Sequence, residues 1–483
     1  MASEIEQQAD PQLARSRYPW LQASLTLGFA AAAGMWCVWF VAHLPGVALP
    51  TPVTTGLMLG LLGACTAIGS KATPKPWLLG FGAGLVSGLL NTMLISMVMG
   101  EVDGTTPEAA ATVRVLPDAQ VMLGGFILLS VVVGTVGGAL GGLIRNQLGE
   151  NQMGENQPEP TRSLAELRQL WLARSAIVAI VATAPLLLVG GLVTSTGAGM
   201  SVPDWPNSYG ANMFLYPLAL MGDHRIYFEH SHRLLGTFVG LATLALSLQI
   251  VLIDRRRWVQ SLAVVAFILV CFQGLLGGKR VTMSAEALGM VHGITAQLFL
   301  ALLVMQAAWL SPLWRSLDPT KLEPSRRLKF ATTGLLHSTI LQLAMGAAYR
   351  HFGRVSDGAQ HALWAHVVFS VVVVIFAALA ASAAISLVAD GDPRKKMYRK
   401  IGLWIGGVVA VQFLMGWVAL VLVLTTDRSA PPTAEQLEAV PYDDFVPALV
   451  ATAHQANGAL LLALAALGWV WVKRRPPAGA AVA

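Results

Sequence analysis

The chain has 483 residues, of which 55% are hydrophobic and only 12% are charged, and its mean hydropathy is +0.61. Soluble proteins carry about a quarter charged residues, so this chain lacks the polar surface that a water-soluble globule needs. The formal net charge is +6, but the basic residues form short clusters between apolar segments, which argues against a nucleic-acid partner. The composition therefore predicts an integral membrane protein.

Twelve apolar segments follow one another along the chain, each near the length that a helix needs to cross a bilayer. In chain order they are 22–43, 53–70, 76–99, 121–144, 175–195, 228–252, 258–277, 286–310, 330–349, 362–388, 401–424 and 449–472. The residues before the first segment include charged side chains and lack the features of a cleaved signal peptide. The sequence predicts an all-α polytopic membrane protein with about twelve transmembrane helices.

Lysine and arginine are distributed unequally between the two sides of these predicted helices. The side that contains both termini has 24 of the 32 basic residues, and the opposite side has 7. Because basic loops are retained in the cytoplasm, both termini are expected to be cytoplasmic. The expected location is a bacterial plasma membrane.

The loop between the fourth and fifth segments is polar and repetitive, which is typical of a linker. It contains the tetrapeptide GENQ twice, at 149–152 and 154–157. The predicted domains are an N-terminal four-helix domain of unknown role (1–148), a cytoplasmic linker (149–173) and a first four-helix half (174–310). A cytoplasmic connection (311–329), a second four-helix half (330–475) and a flexible tail (476–483) follow.

A short motif repeats within the last eight segments. Gln273 and Gly277 on the seventh segment correspond to Gln412 and Gly416 on the eleventh, and each motif lies between two histidine-bearing segments. Membrane bundles are commonly built from duplicated halves. We therefore expect two pseudo-repeated four-helix bundles.

Four histidines lie about one turn inside the outer ends of the sixth, eighth, tenth and twelfth segments. They are His232, His292, His366 and His454. Two imidazoles from facing helices can act as axial ligands of a haem iron inside a four-helix bundle. The pattern predicts iron ligands for two haems towards the outer side; the alternative is that each imidazole hydrogen-bonds to a neighbouring helix.

Charged residues accompany these histidines. Glu229 precedes His232 by three residues and shares its helix face, either as a first-turn carboxylate favoured by the helix dipole or as a proton acceptor beside a porphyrin. Arg233, Lys279 and Arg280 are expected at the outer surface, where they anchor the interface or pair with haem propionates.

The other histidines are expected to have structural or solvated roles. His230 cannot share a helix face with His232, and His337 lies at a different depth, where a satisfied polar contact is expected. His224, His351 and His361 lie in or beside outer loops and are expected to be solvated, and His43 has no partner histidine.

Several segments resemble the signature segments of the haem A synthase family. The resemblance is closest in GGLVTSTGAGMSVPDWPNSYG at 190–210, FEHSHRLLG at 228–236, QGLLGGKRVT at 273–282 and LGMVHG at 288–293. It continues more weakly in QLAMGAAYRH at 342–351, AH at 365–366 and AHQANGALLLA at 453–463. The first four segments have no counterpart in that family, and the outer loops lack the cysteine pair of some of its members.

The resemblance implies an eight-helix core and a set of residue roles. His232 and His292 would face the substrate haem O, His366 and His454 would ligate a haem b, and Glu229 would take part in the oxidation. The implied reaction converts the C8 methyl of haem O to a formyl group by two hydroxylations, which gives haem A for a terminal oxidase. The implied partners are membrane lipid, a haem O synthase and cytochrome oxidase assembly factors.

Two other functions fit parts of the pattern. A dihaem b-type electron-transfer protein explains the four histidines but gives Glu229 no role. A twelve-helix secondary transporter explains the number of segments and the repeat. It also requires charged groups near the midplane, and the last eight segments contain no acidic residue deep inside.

Overall fold

The computed structural model describes residues 19–47, 49–70, 73–150, 163–316, 324–353, 358–387, 392–425 and 445–474. Several predictions fall outside this set. These predictions concern the tail 476–483 and most of the GENQ repeat in the linker. They also concern Arg354 and Arg428, which are two of the seven basic residues expected on the side opposite the termini.

Twelve long helices dominate the described residues, and each coincides with one predicted segment. They are α1 (Trp20–Ala42), α2 (Thr51–Gly69), α3 (Pro76–Ile95), α4 (Ala119–Glu150), α5 (Leu164–Ser195), α6 (His224–Ile253), α7 (Arg257–Met283), α8 (Glu286–Leu310), α9 (Arg326–Phe352), α10 (Ala359–Ile385), α11 (Pro393–Thr425) and α12 (Phe445–Val472).

Eleven of the helices in the described part of the chain are long and apolar enough to cross a membrane. The exception is α9, which is long enough at 27 residues but begins with Arg326, Arg327 and Lys329 and contains further polar side chains. The prediction of an all-α polytopic membrane protein is confirmed.

The described residues divide into two compact units. The N-terminal unit contains the residues up to Pro185 together with Pro206–Val264, and the C-terminal unit contains Leu186–Trp205 together with the residues from Val265 onwards. The predicted domain boundaries at 149–173 and 311–329 stay predictions.

Glycine allows α3 and α4 to approach closely in the N-terminal unit. A Cβ atom on Gly134 would lie 2.5 Å from the carbonyl oxygen of Gly80, and one on Gly84 would overlap the carbonyl oxygen of Ser130. Small residues of this kind are what let helix backbones pack closely in a membrane. The glycine content of the first four helices therefore has a structural cause.

Helix α1 packs against α6 through aromatic side chains. The ring centroids of Trp36 and Phe238 are 4.8 Å apart, and the Tyr227 hydroxyl donates a hydrogen bond to the carbonyl of Phe40. Ser175 of α5 donates to Gln249 of α6 with a separation of 3.1 Å. These contacts hold α6, which carries two of the predicted site residues, against its neighbours.

A small hairpin between α3 and α4 holds the loop that precedes α6. Strands β1 (Gly100–Glu101) and β2 (Arg114–Val115) pair antiparallel. The Ser96 hydroxyl donates to the carbonyl of Phe214 at 2.6 Å. The N-terminal helices therefore fix both α6 and the loop before it.

The C-terminal unit contains a four-helix bundle. Helices α9, α10, α11 and α12 each pack against the next, α12 packs back against α9, and α8 packs against α9 and α12. The predicted pseudo-repeat of this bundle in the first half stays a prediction.

Replacing Gly134 by valine is expected to destabilise the protein, because the added atoms would meet the α3 backbone; overpacking of this kind costs about 1–3 kcal/mol. The matched control is Gly124→Val on the same helix, where a Cβ atom meets no atom of the described residues within 4 Å. Thermal unfolding in detergent, followed by size-exclusion chromatography, should show a lower midpoint for Gly134→Val only. Equal midpoints would contradict the close-packing interpretation.

Candidate functional site

The structure brings together the two histidines predicted for the second half. The ring centroids of His366 on α10 and His454 on α12 are 6.2 Å apart, with an angle of 74° between the rings. A metal–imidazole bond of about 2.0 Å and a ring radius of about 1.15 Å place two axial imidazole centroids about 6.3 Å apart. The observed separation therefore fits an iron between the rings.

The orientation of His366 also fits an iron ligand. Its Nδ1 lies 3.0 Å from the carbonyl oxygen of Gln342 on α9, and because a carbonyl only accepts, Nδ1 must carry the proton. Its Nε2 is then the unprotonated nitrogen, as a ligand requires. The Gln342 amide donates in return to the His366 carbonyl at 2.9 Å, and a Cβ on Gly346 would lie 2.8 Å from Cε1 of the ring.

His454 has an equivalent support on α11. The amide nitrogen of Gln412 lies 3.3 Å from both ring nitrogens. The amide oxygen of Gln412 accepts from Asn457 at 2.8 Å, which fixes the orientation of the amide. A Cβ on Gly416 would lie 3.2 Å from Cε1 of His454, so this ring also fills the space beside a glycine.

His292 on α8 repeats the arrangement against α7. A Cβ on Gly277 would lie 3.6 Å from the Cε1 atom of the ring, so this ring also lies beside a glycine. The Gln273 side chain donates to the Thr295 hydroxyl. The motif Gln-x-x-x-Gly therefore occurs on three odd-numbered helices rather than the two predicted, and each copy lies beside the histidine of the next helix.

The donor set in the second bundle is a pair of imidazoles. Among the residues that the structure describes, no group of three or more His, Cys, Asp or Glu side chains is arranged to hold a metal ion. An iron that is already bound by four porphyrin nitrogens needs two further ligands, which the protein can supply. The residues present therefore fit a haem.

His232 lies on α6 in the N-terminal unit, whereas His292 lies in the C-terminal unit. Each is described within its own unit, so the predicted pairing of these two residues stays a prediction.

The N-cap of helix α6 is Asp223, whose carboxylate accepts from the backbone N–H of Arg225 at 2.8 Å. Burial raises the pKa of Asp223, but the hydrogen bonds from Arg225 outweigh burial and hold it below its ordinary value.

Glu229 forms a buried ion pair one turn along α6. The guanidinium of Arg233 donates to its carboxylate at 2.7 Å, and their side chains are only 8% and 4% exposed, respectively. The same guanidinium donates to the carbonyl of Asn207 at 2.9 Å. The expectation that Arg233 lies at the outer surface is wrong. The loop before α6 covers its guanidinium, which also pairs with Glu229 one turn earlier on the same helix.

The remaining histidines mostly behave as expected. His230 is fully buried and lies 3.1 Å from the Ser208 hydroxyl, and the Nδ1 of His337 lies 2.8 Å from the Thr333 carbonyl of its own helix. The expectation that His351 is solvated is wrong. Its side chain is 7% exposed and lies 3.5 Å from Glu286, because the last turn of α9 packs against the start of α8.

Residues 173–355 match a family model described as cytochrome oxidase assembly protein. This segment, which is less than half of the chain, resembles that family. No curated protein and no solved structure matches the chain. The family segment includes Glu229, His232 and His292, and the resemblance to the haem A synthase family is thereby confirmed. The match supports a role in cytochrome oxidase assembly and implies oxidoreductase activity on a haem substrate.

Removing one partner of the Glu229–Arg233 pair should be costly. Glu229→Gln removes the carboxylate partner of a buried guanidinium, a change that typically costs about 3–5 kcal/mol, whereas replacing both partners by neutral side chains is often tolerated. We expect the thermal midpoint of Glu229→Gln to be well below that of the double variant Glu229→Gln/Arg233→Met. A double variant less stable than the single one would contradict a buried ion pair.

Proposed function

We propose that the protein is a haem A synthase, which oxidises the C8 methyl of haem O to a formyl group. The observation that supports this most directly is the pair His366 and His454, whose spacing fits an iron, in a chain whose preceding segment resembles the cytochrome oxidase assembly family. The proposal concerns a membrane-embedded oxidoreductase whose substrate is itself a porphyrin.

In this proposal the second bundle holds a haem b. His366 and His454 would hold its iron, and the Gln342 carbonyl, by accepting from Nδ1 of His366, would keep Nε2 of that ring unprotonated. A bound haem b supplies one-electron redox chemistry. The glycines at 346 and 416 keep each ring in place by leaving space for its Cε1 edge.

The first half holds the substrate. His232 and His292 face haem O, and Glu229 lies beside the reacting methyl. Its salt bridge to Arg233 holds the carboxylate in position, so that it can accept a proton or stabilise positive charge that develops on the porphyrin edge. The methyl group would be hydroxylated twice, and each hydroxylation would remove two electrons and two protons and add one oxygen atom. The resulting gem-diol would lose water to give the formyl group, so that the net half-reaction is CH3 + H2O → CHO + 4 H+ + 4 e−, with the electrons leaving through the haem b.

The membrane setting follows from the same proposal. Both termini are cytoplasmic in a bacterial plasma membrane, the haem sites lie towards the outer side, and the apolar tail of haem O extends between helices into membrane lipid. A haem O synthase supplies the substrate, and cytochrome oxidase assembly factors receive the product. In the predicted domains, 174–310 is the catalytic half and 330–475 the haem b half, and 1–148 holds α6 in place.

The second site is tested by the visible spectrum of the detergent-purified protein. His366→Ala and His454→Ala should each remove the b-type band because each takes away an iron ligand. Gly346→Val should weaken the band, since the added side chain displaces the His366 ring. The control is Gly407→Val on α11, where a Cβ meets no described atom within 4 Å. An unchanged band in both histidine variants would refute the assignment.

The reaction is tested by extracting the haems after co-expression with a haem O synthase. We expect haem A or its alcohol intermediate from the natural protein, and haem O from Glu229→Gln, compared at equal amounts of folded protein. Haem b alone from the natural protein would support the dihaem electron-transfer alternative. A colourless preparation would reject every haem-based function and favour the transporter alternative.

A further inference from the structure

Two arginines and a histidine lie in the C-terminal unit, where α7 ends, α8 begins and α9 ends. Arg280 belongs to the last turn of α7, and Arg350 and His351 belong to the last turn of α9. Glu286, in the first turn of α8, is half exposed and lies 3.5 Å from His351. Neither arginine has a carboxylate partner among the described residues, so the group carries excess positive charge.

Arg350 is held in place by neutral oxygens. Its guanidinium donates to the Gly191 carbonyl at 2.9 Å and to the Ser195 hydroxyl at 2.6 Å. Its Nε atom is buried and makes no hydrogen bond within the described part of the protein. Because an unpaired charge inside a membrane protein is costly, this arrangement indicates a site for an anion.

Arg280 supplies a second cation nearby. A Cβ on Gly199 would lie 2.5 Å from its guanidinium, and one on Gly289 would lie 3.0 Å from its Nε, so two glycines make room for the side chain. The same hypothetical Cβ on Gly289 would lie 2.9 Å from Cε1 of His351, so the side chains of Arg280 and His351 converge on one point.

The position of Arg350 relative to the histidine pair identifies the anion. Gly346, which supports His366, lies four residues earlier and therefore on the same face of α9, about one turn or 5.4 Å away. On the other side, Ser195 lies 3.1 Å from the hydroxyl of Thr452, which precedes His454 by two residues. Arg350 is therefore beside the pair that fits a haem iron.

We propose that Arg350, assisted by Arg280, binds a propionate carboxylate of the porphyrin held between His366 and His454. Arginine matches a carboxylate with two parallel hydrogen bonds, and the propionates extend from one edge of the porphyrin. The inference rests on the proposed function, because it requires that this pair holds a haem. Arg350 and Arg280 would then determine which edge of the porphyrin faces the outer end of the bundle.

The test compares two ligands that differ only in the propionates. The full-length protein is purified without haem from a haem-deficient host and titrated with iron protoporphyrin IX or with its dimethyl ester, while the low-spin absorbance is followed. Arg350→Gln should weaken binding of the free acid about tenfold or more, the range expected for a lost charge-assisted hydrogen bond, and leave ester binding unchanged. Glutamine can still donate to the Gly191 carbonyl, which favours correct folding.

Two further variants make the result specific. Arg350→Lys keeps the charge and should retain part of the preference for the free acid. Arg327→Gln, at the opposite end of α9 and 3.4 Å from the exposed Ser382 hydroxyl, should change neither affinity.

Each outcome separates the two proposals. If Arg350→Gln weakens acid and ester equally, or weakens neither, the propionate site is rejected while the histidine site stands. If the natural protein binds acid and ester equally, the propionates are not recognised and the inference is likewise rejected. If the natural protein gives no low-spin spectrum with either ligand, the haem b site fails and the propionate site fails with it.

Discussion

The candidate site depends on a fixed distance between two imidazoles inside a bundle of apolar helices. The 6.2 Å between the rings of His366 and His454 is maintained by α9 and α11, which do not carry the histidines themselves. A backbone carbonyl orients one ring, an amide lies beside the other, and a glycine leaves space for each Cε1 edge. Supporting contacts of this kind are what hold ligands in place for a metal before it binds.

The same principle explains the first four helices of the N-terminal unit, which lie outside the residues 173–355 that match the family model. The first four helices pack closely through glycine, and α1 contacts α6 through Trp36, Phe238 and Tyr227. The hairpin between α3 and α4 holds the loop whose Asn207 carbonyl accepts from Arg233. The additional helices therefore stabilise the helix that carries Glu229, which gives them a physical role without a separate ligand.

Much of the fold follows from the sequence because membrane helices are defined by a local property. A run of about twenty apolar residues identifies a span, so all twelve predicted segments correspond to helices. The depth of the four histidines also follows from their distance to the helix ends. The pairing of His366 with His454 came from the family resemblance, and the structure places these two rings next to each other.

The errors concern side chains whose surroundings come from distant parts of the chain. Arg233 and His351 look like interfacial or solvated residues because they are polar and close to loops. The loop before α6 buries Arg233, and the start of α8 buries His351. The support of His366 by Gly346 was missed because the Gln-x-x-x-Gly signal, although present at 342–346, has meaning only when the next helix packs against it.

The most direct test of the histidine pair is the low-temperature electron paramagnetic resonance spectrum of the oxidised full-length protein. The protein should be produced in a host that makes haem b but no haem O, so that only the second site is loaded. Rings inclined by 74° predict a strongly anisotropic low-spin ferric signal, the signature of two nearly perpendicular imidazole ligands. A high-spin signal alone, or the rhombic low-spin signal of parallel imidazoles, would contradict the arrangement described above.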